Sequence, residues 1–184
     1  KRLVEELNIP EVLACLLVNR NIKTYEEARI FFRPLLKHLH DPFLMKDMQK
    51  SVDRIETAIS KKERILIFGD YDVDGTSAVA LMYSFLKHFE LYLEYYIPDR
   101  YIEGYGISNQ SIEYAKENNF SLIIALDCGI KCHSQIDMAN QYGIDVIVCD
   151  HHLPDSTLPK AYSILNPKRN DCSYPYKELS GCGV

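Results

Sequence analysis

From residue 64 onward, short apolar runs alternate with longer amphipathic segments, and this alternation constrains the fold more than any other feature. Such a pattern predicts an α/β protein, with a mainly parallel sheet connected by crossover helices. The expected strands are 64–69, 92–97, 121–126 and 145–149. The expected helices are 76–89, 108–118 and 131–142. Residues 153–184 contain four prolines, and we expect mainly loop there before a new helix begins.

The sequence divides into a small helical N-terminal segment, residues 1–60, and an α/β domain, residues 61–184. Thr24 and Glu27 have the spacing of a capping box, in which a hydroxyl and a carboxylate satisfy backbone amides at a helix start. A second amphipathic helix, packed against the following domain, is predicted from the spacing of Val52, Ile55 and Ile59.

Acidic residues and two histidines follow three of the predicted strands. They are Asp70, Asp72 and Asp74 after the first strand, Asp127 after the third, and Asp150, His151 and His152 after the fourth. Because the carboxyl ends of parallel strands meet at one edge, we expect these side chains to converge in one crevice. Carboxylates with imidazole suit Mg²⁺ or Mn²⁺ better than a thiolate-rich zinc site. Bound cations would also offset the repulsion among the clustered aspartates.

Two other classes of protein carry aspartates at the spacing of the first acidic motif. An EF-hand calcium loop needs a bidentate Glu at its twelfth position, where Leu81 stands, and a helix before the loop. A haloacid-dehalogenase-like phosphatase would use Asp72 as nucleophile and Asp74 as acid and base. That class also needs a late acidic pair and a separate lysine motif, which this chain does not match. It stays the less favoured alternative.

Composition narrows the class of protein further. The formal net charge of −5 argues against a broad basic nucleic-acid surface, although two cations in the predicted site would offset most of it. No apolar stretch approaches the roughly 20 residues of a membrane span, and no leader opens the chain. The six cysteines have no regular spacing and are interpreted as reduced thiols. These features predict a cytoplasmic protein without membrane association.

Four further residues are candidate contacts to phosphate or nucleic acid. Arg100 follows a predicted strand, where its guanidinium could grip a phosphate, although a surface ion pair is an equal alternative. Tyr105 has the chemistry to stack on a base, and packing inside the protein is the other interpretation. Gly181 and Gly183 would let backbone amides approach a phosphate, or would permit close helix packing.

Taken together, the motifs resemble the DHH phosphoesterase superfamily, and in particular its bacterial single-strand-specific exonucleases. The resemblance is carried by Asp70-Tyr71-Asp72-Val73-Asp74-Gly75, Asp127-Cys128-Gly129, Asp150-His151-His152 and Ser180-Gly181-Cys182-Gly183-Val184. It extends over essentially the whole chain. We also expect the chain to be an excised fragment that ends before the family's fourth acidic motif, so that the isolated piece is weakly active or inactive.

The resemblance implies a metal-dependent 5′ to 3′ exonuclease that hydrolyses phosphodiester bonds of single-stranded DNA in repair and recombination. By resemblance, its partners would be single-stranded DNA, a single-strand-binding protein and a helicase. One alternative is a DHH phosphodiesterase acting on short oligonucleotides or cyclic dinucleotides. Another is a degenerate DHH protein that serves as a replication scaffold, against which the intact set of potential metal ligands argues.

The resemblance also implies a role for each site residue. Two Mn²⁺ or Mg²⁺ ions would be bound, one by Asp72 and Asp127, the other by Asp74, Asp127 and His151, so that Asp127 bridges the ions. His152 would hydrogen-bond a non-bridging phosphate oxygen and complete the catalytic set. Two further carboxylates would be direct ligands or would orient the ligands, namely Asp70 and Asp150.

Overall fold

The computed structural model describes all 184 residues, which form two compact units, 1–41 and 42–184. The first unit contains α1 (Arg2–Leu7), α2 (Glu11–Asn19) and α3 (Tyr25–Phe32). The predicted capping box is confirmed at the start of α3: the Glu27 amide donates to the Thr24 hydroxyl at 3.2 Å, and the Thr24 amide donates to the Glu27 carboxylate at 2.9 Å. The buried core of this unit consists of Leu3, Ala14, Leu17, Ile22 and Ala28.

The second unit is built around a five-stranded parallel sheet, which confirms the predicted α/β class. Its strands are β1 (Arg64–Gly69), β2 (Tyr92–Tyr96), β3 (Leu122–Leu126), β4 (Asp145–Cys149) and β5 (Ser163–Leu165), in the spatial order β2-β1-β3-β4-β5. The four predicted strands agree with the structure to within one residue at each end. The fifth was missed, because a three-residue strand in a proline-rich segment shows no period. The helix expected at the end of the chain is a single 3₁₀ turn, Gly181–Gly183.

Four α-helices belong to this unit: α4 (Met48–Ser60), α5 (Val73–Leu86), α6 (Asn109–Glu117) and α7 (His133–Gln141). α5 begins three residues earlier than predicted, because the Asp72 carboxylate caps it by accepting from the amides of Asp74 and Gly75 at 2.8 and 3.0 Å. Asp74 therefore lies in the first helical turn. None of the seven α-helices combines the length and apolar character that crossing a membrane requires.

Strands β1, β3, β4 and β5 are buried on both faces, as expected for parallel strands covered by helices, whereas the edge strand β2 is partly exposed. Alternate residues of each strand enter two apolar clusters, one containing Phe68 and Val148 and the other containing Ile67 and Ile147. α4 contributes to the second cluster through Ile55, as its amphipathic pattern predicted. The predicted division at residues 60 and 61 falls after α4, whereas the compact unit begins at Pro42. That division stays a prediction.

An ionic network around the buried Arg54 fixes the amino-terminal edge of the sheet. Arg54 of α4 places Nε 2.6 Å from the Asp145 carboxylate and Nη2 2.7 Å from the Glu63 carboxylate. The hydroxyl of Ser121 also donates to Glu63, at 2.7 Å. Burial tends to raise the pKa of Glu63, but the bonds from Ser121 and Arg54 outweigh it and hold that pKa below its usual range. The network therefore joins α4 to the starts of β1, β3 and β4.

Candidate metal centre

The opposite, carboxyl-terminal edge of the sheet carries a row of three aspartates. The strand register places Gly69 beside Leu126 and Leu126 beside Cys149, so the residues that follow these three also stand side by side. They are Asp70, Asp127 and Asp150, each 1% exposed. A buried row of carboxylates is costly unless protons, hydrogen-bond donors or cations compensate it.

Asp127 stands at the centre of this row. Its backbone has φ of 61°, and its Oδ1 is buried without a hydrogen-bond partner. Burial raises the pKa of Asp127 to about 7, and the negative charge of Asp72 adds to the shift. The pKa of Asp72 is lowered, first by the Gly75 amide and also by the Asp127 carboxyl. In the absence of metal, this carboxylate pair thus favours a proton on Asp127.

His151 faces Asp127 across a short gap. Its Nδ1 lies 2.9 Å from the carbonyl oxygen of Leu179, and its Nε2 lies 3.3 Å from Asp127 Oδ1. A carbonyl only accepts hydrogen bonds, so Nδ1 carries a proton, and in the neutral form of the ring the Nε2 lone pair is directed toward Asp127. Two acceptors then face each other, and a proton or a cation between them is needed to make the contact favourable.

Asp72 and Asp74 project from the start of α5 toward the same crevice. Asp72 uses Oδ1 to cap the helix, and Asp74 uses Oδ2 to accept from the Gly181 amide at 3.0 Å. The second oxygen of each carboxylate takes no part in these bonds. Each aspartate is thus oriented through one oxygen while the other can bind a ligand.

Asp150 differs from its neighbours because the protein satisfies both its oxygens. Oδ1 accepts from the amide and the Nδ1 of His152 at 3.0 and 2.7 Å, and Oδ2 accepts from the Ile130 amide at 3.0 Å. His152 is held in place by these bonds, while its side chain stays 44% exposed. The ligand atoms of Asp127, His151 and His152 all lie within 4.8 Å of one another.

Asp70 is buried, but neither of its oxygens has a hydrogen-bond partner. Burial raises the pKa of Asp70, and the negative charge of Asp72 raises it further. Nearby backbone amides, first that of Tyr71, act in the opposite direction, but none of them forms a hydrogen bond of normal geometry with the carboxylate. It does not join the close group formed by Asp127 and the two histidines. Its unpartnered oxygens mark a second place where the protein alone leaves a buried carboxylate unsatisfied.

Two tyrosine rings, Tyr105 and Tyr71, extend outward from His152 and are here called the aromatic ladder. The ring of Tyr105 meets His152 edge to face at 5.8 Å between centroids, and Tyr71 meets Tyr105 in the same way at 6.4 Å. The guanidinium carbon of Arg100 lies 5.3 Å from the Tyr71 centroid. The Tyr105 hydroxyl lies 3.2 Å from the Asp127 carbonyl oxygen and donates to it. Burial, followed by the charge of Asp150, raises the pKa of Tyr105 above its usual value.

The two candidate glycines stand in the last residues of the chain, and Gly181 lies beside Asp127 and Asp74. The Gly181 amide donates to Asp74, and the Gly183 amide lies 2.9 Å from the Ser180 carbonyl oxygen and 3.2 Å from its hydroxyl. Both amides are thus occupied by partners within the protein. The sequence analysis missed two contacts, that of the Tyr71 ring with Tyr105 and that of the Leu179 carbonyl with His151. A backbone carbonyl gives no signal in a sequence, whereas Tyr71 stands inside the first acidic motif.

This arrangement occurs at the carboxyl edge of a DHH domain: residues 64–184 match the DHH family, N-terminal domain, and the chain belongs to that family. The predicted superfamily resemblance is thereby confirmed.

Particular relatives are single-stranded-DNA-specific exonucleases named RecJ. The chain is 44% identical to RecJ of Bacillus subtilis (strain 168) over 184 residues, which is 100% of this chain and 23% of the relative. It is 33% identical to RecJ of Escherichia coli (strain K12) over 177 residues, which is 96% of this chain and 30% of the relative. The chain thus spans between about a quarter and a third of these relatives' length.

Solved structures show the same fold. The chain is similar to exonuclease RecJ bound to manganese, with a TM-score of 0.71 and 28% identity over 79% of this chain and 37% of that chain. It is also similar to RecJ from Thermus thermophilus in complex with Mn²⁺, with a TM-score of 0.71 over 99% of this chain and 25% of that chain. The identity to the second structure is 24%, so it is evidence for the fold alone.

Proposed function

We propose that this chain forms the metal-dependent phosphodiesterase centre of an exonuclease that degrades single-stranded DNA from its 5′ end in repair and recombination. The observation that carries this function is the contact of 3.3 Å between Asp127 Oδ1 and His151 Nε2. Asp127 Oδ1 is buried and has no hydrogen-bond partner, and the Leu179 carbonyl holds a proton on Nδ1 of His151. Relatives named as single-stranded-DNA-specific exonucleases and a solved relative bound to manganese support it.

The donor set fits hard divalent cations, because it consists of carboxylate oxygens and one or two imidazoles. Asp72, Asp74, Asp127 and His151 would hold two Mn²⁺ or Mg²⁺ ions, with Asp127 shared between them. When bound, such ions polarise the phosphoryl group and lower the pKa of a bound water. Asp70, with its unsatisfied oxygens, is the further carboxylate available to the ions.

Asp150 and His152 have a different task in this centre. Both oxygens of Asp150 are occupied, so it orients the backbone and ring of His152 and does not need to bind a cation. Because Asp150 holds Nδ1 of His152, the Nε2 atom stays free to form a hydrogen bond with a non-bridging phosphate oxygen. The exposed position of the ring leaves room for that contact.

The aromatic ladder supplies a surface for the strand. Arg100 lies at its outer end, where its guanidinium can contact a phosphate, and the Tyr71 and Tyr105 rings offer faces for a base or sugar. Such a grip tolerates any base sequence, because every base has a face that can stack. Phosphate contacts by Gly181 and Gly183 stay predictions, since the protein already occupies both amides.

A cytoplasmic location fits the six cysteines, which are all unpaired thiols. In that compartment the substrate is single-stranded DNA, and a single-strand-binding protein and a helicase are the partners that would present it.

The test uses the full-length protein and single strands labelled at the 5′ or the 3′ end. With Mn²⁺ or Mg²⁺ we expect stepwise release of mononucleotides from the 5′ end, and with EDTA none. Strands of DNA and RNA, a duplex and a cyclic dinucleotide are compared in parallel. Digestion from the 3′ end would refute the polarity. Faster hydrolysis of cyclic dinucleotides or very short oligonucleotides than of long strands would favour the alternative DHH phosphodiesterase.

A further inference from the structure

We propose that residues 179–183, here called the closing segment, position the metal ligands. In this role the Leu179 carbonyl selects the metal-binding tautomer of His151, the Gly181 amide orients Asp74, and the missing side chain at Gly181 keeps open the space beside Asp127. The inference rests on the proposed function, because it assigns positioning residues to the same centre.

The first contact decides which nitrogen of His151 is free. A neutral imidazole carries its proton on either nitrogen, and only the unprotonated nitrogen can bind a cation. Because the Leu179 carbonyl accepts at 2.9 Å, it holds the proton on Nδ1 and leaves Nε2 free on the side of Asp127. Partners of this kind fix the orientation and the basicity of histidine ligands.

The second contact orients a carboxylate from a distant part of the chain. Gly181 donates to Asp74 Oδ2 at 3.0 Å, across a separation of 107 residues. Asp74 is half-buried in the first turn of α5, where without this bond its side chain would sample several rotamers. Fixing one oxygen presets the direction of the other, so less conformational entropy is lost when a cation binds.

The third observation concerns space. A Cβ atom on Gly181 would lie 1.9 Å from Oδ1 and 2.3 Å from Cγ of Asp127, well inside any permitted contact. The backbone of Gly181 lies outside the left-handed region, so space and not φ demands a glycine here. Any side chain would push the Asp127 carboxyl out of the position in which it faces His151.

The closing segment is itself anchored. Leu179, Cys182 and Val184 are partly buried against the apolar cluster on the α5 side of the sheet. The Ser180 hydroxyl accepts from the Gly183 amide and caps the final turn. The contacts to His151 and Asp74 are therefore made by a packed element.

A matched glycine separates positioning from general stability. Gly143, between α7 and β4, has φ of 72° and nothing within 4 Å of the place where a Cβ would stand. Gly143→Ala strains the backbone at the edge of the sheet away from the metal centre and costs about 1 kcal/mol of stability. Gly181→Ala instead places a methyl group against Asp127.

The experiment measures Mn²⁺ affinity by calorimetry and stability by urea unfolding for the wild-type chain and both variants. We expect Gly181→Ala to weaken Mn²⁺ binding by about 10- to 100-fold, and Gly143→Ala to keep wild-type affinity despite its lower stability. Equal Mn²⁺ affinity in Gly181→Ala and wild type would overturn the positioning role of Gly181. An equal loss in both glycine variants would overturn it as well.

A second readout needs no variant. In the metal-free wild-type chain, ¹⁵N NMR of the neutral His151 ring should show the proton on Nδ1. A proton on Nε2 would refute the role of Leu179. If Gly181→Ala does not fold, this tautomer measurement decides the inference. A wild-type chain that binds no Mn²⁺ refutes the proposed function itself, whereas normal wild-type binding with an unaffected Gly181→Ala variant refutes only the positioning role.

Discussion

The amide of Asp127 donates to the carbonyl oxygen of Cys149 at 2.8 Å, which extends the pairing of β3 with β4 by one residue. At that residue the backbone turns into the left-handed region, with φ of 61°. Asp and Asn are the side-chain-bearing residues that tolerate this region best. The sheet therefore fixes the backbone of the central carboxylate, and the turn directs it into the crevice.

Asp127→Asn should abolish digestion by the full-length protein and weaken Mn²⁺ binding by at least about 100-fold, because the carboxylate that we propose bridges the two ions loses its charge. The amide keeps the shape and tolerates the positive φ, so the fold should survive. Stability should stay equal or rise, since burial raises the pKa of Asp127 to about 7 and so opposes its charged form. Calorimetry, labelled-strand digestion and urea unfolding measure the three effects.

The matched control is Asp155→Asn, a half-exposed carboxylate that contacts Lys131 and His133 at 3.7 and 3.9 Å. It should leave Mn²⁺ affinity and digestion unchanged. Wild-type turnover by a folded Asp127→Asn protein would contradict the assignment of a bridging carboxylate.

Gly75→Ala should destabilise the second unit by about 3 kcal/mol or more, despite the better helix propensity of alanine. A Cβ at Gly75 would lie 2.3 Å from the backbone oxygen of Asp70, and a backbone atom cannot rotate away. Urea unfolding in metal-free buffer measures the loss. Ser77→Ala, at an exposed position of α5, should stay within about 0.5 kcal/mol of wild type. Equal stability of the two variants would show that α5 can move away from the end of β1.

Glu63→Gln should make stability less sensitive to acid. The folded-state pKa of Glu63 lies below its unfolded value of 4.5, so its charge contributes stability above that pH. The contribution is lost as the pH falls through the folded-state pKa. At pH 7 the variant should therefore be less stable by about 1–2 kcal/mol, and at an acidic pH below the folded-state pKa of Glu63 the difference should shrink.

Urea unfolding at both pH values tests this, with Glu90→Gln as control, because the Glu90 side chain is 95% exposed and lies 3.9 Å from Lys62. A constant difference between wild type and Glu63→Gln across the acid range would refute the linkage to Glu63.

Thr24→Ala should destabilise α3 by about 1 kcal/mol, because it removes the hydroxyl that caps the Glu27 amide. Thr24→Ser, which keeps the hydroxyl, should restore most of the loss. Hydrogen exchange of the α3 amides reports the change in the first unit directly. Mn²⁺ affinity should be unchanged in both variants, and a drop in affinity would mean that the first unit influences the metal centre.

The sequence predicted the central strands well, because both faces of β1, β3 and β4 are buried and their residues form continuous apolar runs. Convergence of the acidic motifs was also predictable, since parallel strands deliver their carboxyl ends to one edge. The start of α5 was placed too late, because Asp72 was interpreted only as a candidate ligand although it also caps the helix. β5 was missed because three residues carry no periodic signal.

The sequence did not predict which site carboxylates the protein itself satisfies with hydrogen bonds and which it leaves unpartnered. Asp70 and Asp150 both follow apolar strands and are equally buried, yet the protein satisfies the oxygens of Asp150 and leaves those of Asp70 unpartnered. That difference depends on which backbone amides approach each carboxylate. The partner of His151 is a carbonyl of Leu179, a group that every residue possesses and no motif specifies.

Asp74 and Gly181 are 107 residues apart, so they are synthesised at different times. A chain leaves the ribosome from its amino end at about 5–20 residues per second, so Asp74 emerges about 5–20 s before its partner amide. Once β3 and β4 have emerged within that interval, the strands that carry the aspartates can pair, while the closing segment has not yet been synthesised. The nascent chain therefore passes through a stage in which the sheet can form while the contacts that orient Asp74 and His151 are still missing.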